Sequence, residues 1–312
     1  MRSMRPNAVI VLVLGLIFGL SSRASAQLSF VETGVGGCFV NNSTTTPTTE
    51  CAKATFSLMT GGSGGTPGSV ITGTSANNVT GLQIVIHNTT PTTLKNYGNA
   101  DLLTGFFWGL TNNPTLATTT TGSGNTKATW YNGSALATNS LGGQTIITAG
   151  ACSSTACNGT SINVGAYWAG SYKVGGWSGT GLTFAGAYAV ATSGFTNISL
   201  GQGNNIGASD PALLTSSNSL DFALIGGAGS TPTTTTNGPT IQDIVTIQVA
   251  FAPSPLTLNL KNDIVASNVH FAYGTAPDAS SGAVIAPEPA SIALFGVGVV
   301  ALGLARRRKR SQ

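Results

Sequence analysis

Apolar and polar residues alternate at a period of two in several parts of the chain. Side chains of a β-strand point alternately to the two faces of the sheet, so this pattern predicts antiparallel strands with one buried and one solvated face. Asn-Gly pairs, which are typical of tight turns, separate some of these stretches. Apart from the two ends, no stretch has the 3.6-residue period of an amphipathic helix. The clearest alternating stretches are residues 82–87, 220–224, 245–251, 256–261 and 269–273.

Segments rich in Gly, Thr and Ser interrupt the predicted strands at residues 61–68, 118–126 and 226–238. Such segments are typical of long surface loops. We therefore predict an all-β fold: an antiparallel β-sandwich of the jelly-roll or immunoglobulin-like type, forming one exported domain over residues 27–286. The alternative is that the segment near residue 120 is a linker between two domains.

Charged residues make up only 7% of the 312 residues, while hydrophobic residues make up 41%. This composition excludes coiled coils and charged disordered chains, and it leaves enough apolar residues for a buried core. Eight of the 13 basic residues lie in the two ends, so residues 27–286 carry a net charge of −3 and contain no arginine. Because nucleic-acid binding requires clustered Lys and Arg, we predict no nucleic-acid partner.

The first 26 residues have the three parts of a secretory signal peptide. A basic start precedes an apolar run over residues 8–20, and a small-x-small cleavage site follows at Ala24 and Ala26. We predict that signal peptidase cuts before Gln27, because this order of parts is the one that the enzyme recognises. The apolar run is too short for an ordinary spanning helix, and an uncleaved membrane anchor is the alternative.

The last 26 residues also form three parts. Pro287, Glu288 and Pro289 come first, and residues 292–305 form an apolar run of 14 residues. As a helix this run would be about 21 Å long, shorter than the roughly 30 Å hydrocarbon core of a bilayer. We therefore predict a short transmembrane helix that holds the chain only transiently in the inner membrane. The positive-inside rule keeps the terminal basic cluster in the cytoplasm; it consists of Arg306, Arg307, Arg308, Lys309 and Arg310.

This order of a Pro-Glu-Pro motif, a short Gly-rich apolar helix and a basic end resembles the PEP-CTERM sorting signal over residues 287–312. The resemblance implies processing by an exosortase, a membrane-embedded protease of Gram-negative bacteria that also make exopolysaccharide. It further implies surface delivery, removal of the tail and association with the extracellular matrix of a biofilm. The alternative is a single-pass anchor with a chance Pro-Glu-Pro. Unrelated domains carry the same tail, so it implies nothing about the chemistry of the body.

Short stretches of the body are similar to a family of exosortase-dependent surface proteins. The family has no assigned activity, so this resemblance implies a fold and a location, but no reaction. The stretches that carry it are residues 82–90, 103–108, 220–222 and 269–275.

Four cysteines, Cys38, Cys51, Cys152 and Cys157, lie in the predicted exported part. An even number of cysteines in an oxidising compartment indicates disulfides. Of the three connectivities we favour the local pairs Cys38–Cys51 and Cys152–Cys157, each closing a short loop. A zinc site is the alternative, but no histidine accompanies the pairs and about 100 residues separate them, so we predict no metal and no cofactor.

Aromatic residues are concentrated in one polar segment of about 50 residues. Adjacent aromatics on a strand point to opposite faces, so one member of each pair is a candidate for stacking against sugar rings. The alternative is that these side chains fill the core. The candidate glycan contacts are Trp130, Tyr131, Trp168, Tyr172 and Trp177.

Candidate catalytic groups are few. Residues 61–65 match the GxSxG pattern of a hydrolase nucleophile, but that motif requires a helix after the serine and none is predicted here. Two histidines, His87 and His270, lie on predicted strands. A secreted glycan hydrolase would need a pair of carboxylates. A role as turn caps explains the candidate residues equally well; they are Asp210, Asp221, Asp243 and Asp263.

We therefore expect a non-catalytic protein of the cell surface or extracellular matrix, sorted by an exosortase and associated with exopolysaccharide. A neutral Thr- and Asn-rich surface suits such a location, because it does not repel charged neighbours. The second alternative is a carbohydrate-binding or adhesion module that uses the aromatics. The third is a secreted glycan hydrolase.

Overall fold

The structure, a computed structural model, places residues Gln27–Ile285 in one compact unit. The predicted signal peptide and the predicted tail from residue 287 onward lie outside the residues that the structure describes. These residues are 27–32, 38–41, 48–63, 66–90, 102–117, 136–138, 146–147, 162–163, 168–172, 177–179, 182–184, 188–192, 224–225, 240–242, 244–252, 255–273 and 279–286.

The described residues form nineteen strands, one short α-helix and one 3-10 helix. In the first part of the chain the strands are β1 (Leu28–Glu32), β2 (Cys38–Asn41), β3 (Thr48–Gly61), β4 (Gly68–Val70), β5 (Ser75–Asn88), β6 (Leu103–Trp108), β7 (Leu136–Thr138), β8 (Ile146–Ile147) and β9 (Ile162–Asn163). The others are β10 (Trp168–Tyr172), β11 (Trp177–Gly179), β12 (Leu182–Phe184), β13 (Tyr188–Thr192), β14 (Leu224–Ile225), β15 (Thr240–Gln242), β16 (Ile244–Ala250), β17 (Leu256–Asn259), β18 (His270–Tyr273) and β19 (Ala279–Ile285). Helix α1 is Leu260–Asp263, and the 3-10 helix is Ala266–Asn268.

A first ladder of antiparallel strands is built around β3 and β5, each of 14 residues. Its order is β19–β1–β3–β5–β16–β7–β9. Strand β17 pairs with β5 beyond the residues that pair with β16. Strands β2 and β4 pair with the two ends of β3. The long central strands therefore fix the register of most of this ladder.

A second ladder is centred on β6. Its order is β19–β18–β6–β13–β10, and all of these pairs are antiparallel. Strand β14 meets β6 beside β13 and continues through a parallel pairing to β15, which pairs with β8. Strands β11 and β12 form a separate antiparallel pair.

Strand β19 belongs to both ladders. Its first four residues pair with β18, and its last three pair with β1. In the register, Gly282 is the partner of His270, whereas Ala283 is the partner of Glu32. The last strand of the body thus joins the two ladders at one edge.

Aromatic rings form the centre of the core and connect the two ladders. Phe56 of β3 lies 6.0 Å from Phe106 and 6.4 Å from Trp108, both on β6, measured between ring centroids. Phe30 of β1 packs edge-on against Phe56 at 5.6 Å, and Phe271 lies 5.2 Å from Phe106. Because full burial of one such side chain contributes about 1.5–3 kcal/mol, this cluster is a principal source of stability.

Strand β6 is buried on both faces, which a period-two pattern does not predict. Its register with β18 shifts between Ala272 and Tyr273, so that Leu103, rather than Thr104, returns to the core side. Phe107 lies on the opposite side from Phe106 and is also fully buried. A bulge of this kind adds one residue to a strand and changes which side chains share a face.

The predicted all-β, mainly antiparallel architecture is confirmed. The alternating stretches at 82–87, 245–250 and 270–273 are β5, β16 and β18, and the burial of β16 follows the expected period of two. The stretch 256–261 was predicted to be a strand throughout, which is wrong at its end: β17 stops at Asn259 and α1 begins at Leu260. The side chain of Asn259 accepts a hydrogen bond from Lys261 N at 3.1 Å and so caps this helical turn.

Candidate functional site

The edge of the body next to the predicted tail is formed by β1 and β19. Phe30 is the register partner of Ile285, and Glu32 is the partner of Ala283. On its other side β1 pairs with β3, where Phe30 is the partner of Ala54. Phe30 is fully buried, so the last three residues of the body are held against a strand that is itself anchored in the core.

Two exposed apolar side chains end this strand. Val284 is 47% exposed and Ile285 is 50% exposed. Within the described ranges the other large apolar side chains of comparable exposure are Val40 and Val70, each on a different strand. Val284 and Ile285 are therefore two consecutive exposed apolar residues, directly before residue 286.

A buried carboxylate supports the same edge from inside. Glu32 is fully buried, and its Oε1 accepts a hydrogen bond of 2.6 Å from the hydroxyl of Tyr273, which is also fully buried. A buried carboxylate is costly unless it is hydrogen-bonded. Glu32 is not among the residues singled out from the sequence, although it continues the alternation of Leu28 and Phe30 at a position that such alternation predicts to be buried.

The expected Cys38–Cys51 disulfide is present and joins β2 to β3. The two cysteines are direct register partners with Cα atoms 4.1 Å apart. Beside it, Thr90 Oγ1 accepts a hydrogen bond from Cys51 N at 2.9 Å, and Thr90 N donates to Asn88 Oδ1 at 3.1 Å. The disulfide and these hydrogen bonds therefore hold this end of β3 in place. Cys152 and Cys157 lie outside the described residues.

The GxSxG segment begins at the last residue of β3, and its residues 64 and 65 lie outside the described ranges. It lies between β3 and β4, so a strand follows it where a nucleophile elbow would have a helix. Ser63 N donates to Thr66 Oγ1 at 2.9 Å, and Thr66 N donates to Ser63 O at 3.1 Å. Buried Thr80 Oγ1 accepts from Gly62 N at 3.0 Å and donates to Pro67 O at 2.7 Å. These contacts give the segment a structural role.

The candidate catalytic groups that the structure describes, His87, His270 and Asp263, lie on different elements. His87 lies on β5 and His270 on β18, and these strands do not pair with one another. Asp263 Oδ2 accepts a hydrogen bond of 2.7 Å from Asn259 N, the contact expected of a turn cap. Within the part of the chain that the structure describes, no three His, Cys, Asp or Glu side chains form a metal-binding group. Asp210, Asp221 and Asp243 lie outside that part.

The candidate glycan contacts are only partly described. Trp168 and Tyr172 are the ends of β10, Trp177 begins β11, and Trp130 and Tyr131 lie outside the described residues. Tyr172 is the register partner of Tyr188, which stacks in the core on Trp108 at 5.3 Å. The role of these aromatic residues in glycan contact stays a prediction.

The predicted processing sites are at the limits of the described body. Gln27 is the first described residue and precedes β1, whereas Ala24 and Ala26 are not described. The motif residues Pro287, Glu288 and Pro289 and the basic residues 306–310 also lie outside the described ranges. None of the helices in the described ranges has the length and apolar character needed to cross a membrane.

A family model matches the tail of the chain. Residues 286–309 fit the PEP-CTERM protein-sorting motif. No curated protein and no solved structure matches the chain. The match begins at the residue after β19, which makes the edge formed by β1 and β19 the part of the body nearest to the motif in sequence. The motif implies processing by an exosortase. The chain therefore carries a PEP-CTERM sorting signal, which implies an exported protein that is processed at the membrane for delivery to the surface.

Proposed function

We propose that this chain is a non-catalytic protein of the surface or extracellular matrix of a Gram-negative bacterium. An exosortase removes the tail after the apolar run at 292–305 has held the chain transiently in the inner membrane, and the body then remains among exopolysaccharide. The sorting motif at residues 286–309 carries this proposal. It follows the last strand of the body, so tail removal leaves all nineteen described strands on the exported product.

The described part of the body supports a passive role. Ser63 lies in a connection that leads into strand β4, without the helix of a nucleophile elbow, and Asp263 accepts the hydrogen bond of a turn cap. The net charge of −3 over residues 27–286 leaves little electrostatic repulsion from an acidic polysaccharide. We further propose that the two ladders pack face to face as a β-sandwich, since Phe56 of the first contacts Phe106 of the second.

Sorting is tested with the full chain in a bacterial host that has an exosortase. We expect wild-type protein in the extracellular fraction without its tail, as measured by mass spectrometry of the C-terminal peptide. A variant in which Pro287, Glu288 and Pro289 are replaced by Ala, Gln and Ala should stay at full length in the membrane fraction. Export of that variant at the wild-type level, with the same C-terminus, would contradict the proposal.

Retention among exopolysaccharide is tested with the processed wild-type protein recovered from that host. The protein is mixed with increasing amounts of the host's purified exopolysaccharide and sedimented. We expect co-sedimentation that depends on polysaccharide concentration and persists in Trp168→Ala. A complete loss in Trp168→Ala or Trp177→Ala would instead assign the protein a specific aromatic glycan site, and no co-sedimentation at all would exclude the matrix role.

A further inference from the structure

We propose that the exosortase reads the end of β19 together with the sorting motif, and that Val284 and Ile285 are specificity-determining residues outside that motif. The inference rests on the proposed function, because it concerns the same processing event. It begins from the spacing between the last paired residue and the motif. Ile285 is the final residue paired with β1, and Pro287 is only two residues further along the chain.

This spacing forces the enzyme close to the folded body. Two residues span at most about 7 Å even when fully extended. A protease that encloses Pro287, Glu288 and Pro289 must therefore approach Ile285 within the diameter of a single side chain. Contact between the enzyme and the edge formed by β1 and β19 cannot be avoided while this ladder stays paired.

The end of β19 is held in an extended conformation directly before the motif. Residues 283–285 pair with β1. The 3-10 helix Ala266–Asn268, which precedes β18, also packs against β19. Enzymes that bind an extended segment read its side chains in pockets, and Val284 and Ile285 offer the exosortase two such side chains.

The side chains at this edge are of the kind that a partner covers. Val284 and Ile285 are each about half exposed, at 47% and 50%. Exposed β-branched residues on a strand edge favour unwanted pairing, and proteins usually place charge or proline there. Here the proline follows only at residue 287, so two consecutive apolar side chains remain available immediately before the motif.

The test measures the rate of tail removal from the full chain in the exosortase host, by pulse-chase and gel shift. We expect the double variant Val284→Thr, Ile285→Thr to be processed about tenfold more slowly, the loss that two apolar contacts of roughly one methyl group each would cause. Threonine keeps the β-branched shape, so β19 remains a strand. The matched control is Val40→Thr, Val70→Thr, which changes two equally exposed valines elsewhere and should be processed at the wild-type rate.

A second variant separates recognition from obstruction. A four-residue Gly-Ser spacer between Ile285 and Ala286 moves the motif away from the body. It should slow processing if the exosortase binds the motif and the end of β19 at the same time, because the spacer changes the distance between them. Faster or unchanged processing would show that the body is only an obstacle and would overturn the inference. Thermal unfolding of each variant verifies that the ladder is intact.

The remaining outcomes are also decisive. Equal rates for wild type and the Val284, Ile285 double variant would overturn this inference and leave the proposed function standing. Absence of tail removal from the wild-type chain would overturn both.

Discussion

Tyr273 donates its hydroxyl hydrogen bond to Glu32 across the body's terminal edge, at 2.6 Å, although their strands do not pair with one another. Both β1 and β18 pair with β19, so this bond links the strands on either side of it. The two side chains are fully buried, and Tyr273 belongs to the hydrophobic core. A polar contact inside the core thus fixes the separation of β1 and β18 where the two ladders meet.

We expect Tyr273→Phe to lower the free energy of unfolding by about 1–3 kcal/mol, because a buried carboxylate loses a hydrogen bond while the ring stays in place. Urea unfolding followed by tryptophan fluorescence measures this. The control is Phe271→Tyr, two residues earlier on the same strand, which adds a hydroxyl to the core without removing any bond to Glu32. A Tyr273→Phe protein as stable as wild type would show that the hydrogen bond contributes nothing net.

Reduction of the Cys38–Cys51 disulfide should destabilise the body by about 3 kcal/mol, the chain-entropy value for a loop of about 15 residues. The two cysteines are 13 residues apart. The measurement is urea unfolding with and without dithiothreitol in a Cys152→Ala, Cys157→Ala background, where the reductant acts on this bond alone. The control, Cys38→Ala, Cys51→Ala in the same background, should not respond to reductant.

Gly81 lies where the main chains of β5 and β16 and the loop before β4 are closest. A Cβ atom there would overlap the carbonyl oxygen of Val249 and lie 2.7 Å from Cβ of Pro67. We expect Gly81→Ala to cost at least about 2–3 kcal/mol, or to prevent folding, since backbone atoms cannot move aside as a flexible side chain can. The fraction of soluble protein and its unfolding midpoint are the readouts.

Gly61→Asn is the matched control for Gly81→Ala. Gly61 has a φ of +79°, a conformation that asparagine tolerates, and a Cβ atom at this position would meet nothing within 4 Å beyond its chain neighbours. We expect a change of less than about 1 kcal/mol. Similar losses in both variants would mean that the loop between β3 and β4 tolerates no side chain, and that close packing at Gly81 is not the cause.

Asn88 and Asn78 both precede a threonine by two residues on β5, but only Asn78 is exposed. Asn88 Nδ2 donates to Leu224 O at 3.1 Å, and its Oδ1 accepts from Thr90 N. We expect Asn88→Ala to lose about 1–3 kcal/mol by leaving these buried groups unsatisfied. Asn78→Ala, the control, should change stability by less than about 0.5 kcal/mol. Equal effects of the two substitutions in urea unfolding would contradict the structural role of Asn88.

Alternation along the sequence predicts those strands that have one buried face. It identifies β5 and β16 because most side chains on their half-buried faces are Thr, Gln or His, and β18 because it begins with His270 beside Phe271. It does not identify β6, since Phe107 on the second face is buried as well and the bulge beside Thr104 shifts the pattern. Nor does it predict α1, where hydrogen bonds from Lys261 N to Asn259 and from Asn259 N to Asp263 favour a helical turn over continued alternation.

Only one half of the candidate site, the sorting motif, can be predicted from the sequence. The motif at residues 286–309 is a linear pattern and is visible in the sequence alone. The edge that carries it depends on a pairing between Phe30 and Ile285, which are 255 positions apart. Sequence periodicity shows that each lies in an extended segment, but it does not show which segments are neighbours. The bond between Glu32 and Tyr273 is undetectable for the same reason.

The pairing of β1 with β19 also sets a time order for the exported chain. Strand β1 is among the first parts of the body to be synthesised and β19 is the last, so their ladder closes only after residue 285 has emerged. Until then the main-chain N–H and C=O groups along one side of β1 have no β19 to bond, and such open edges invite pairing with other chains. Contacts between residues so distant in sequence are slow to form. Completion of the fold therefore cannot precede the emergence of residue 285, which lies directly before the sorting motif, so the signal for release emerges no later than the finished ladder.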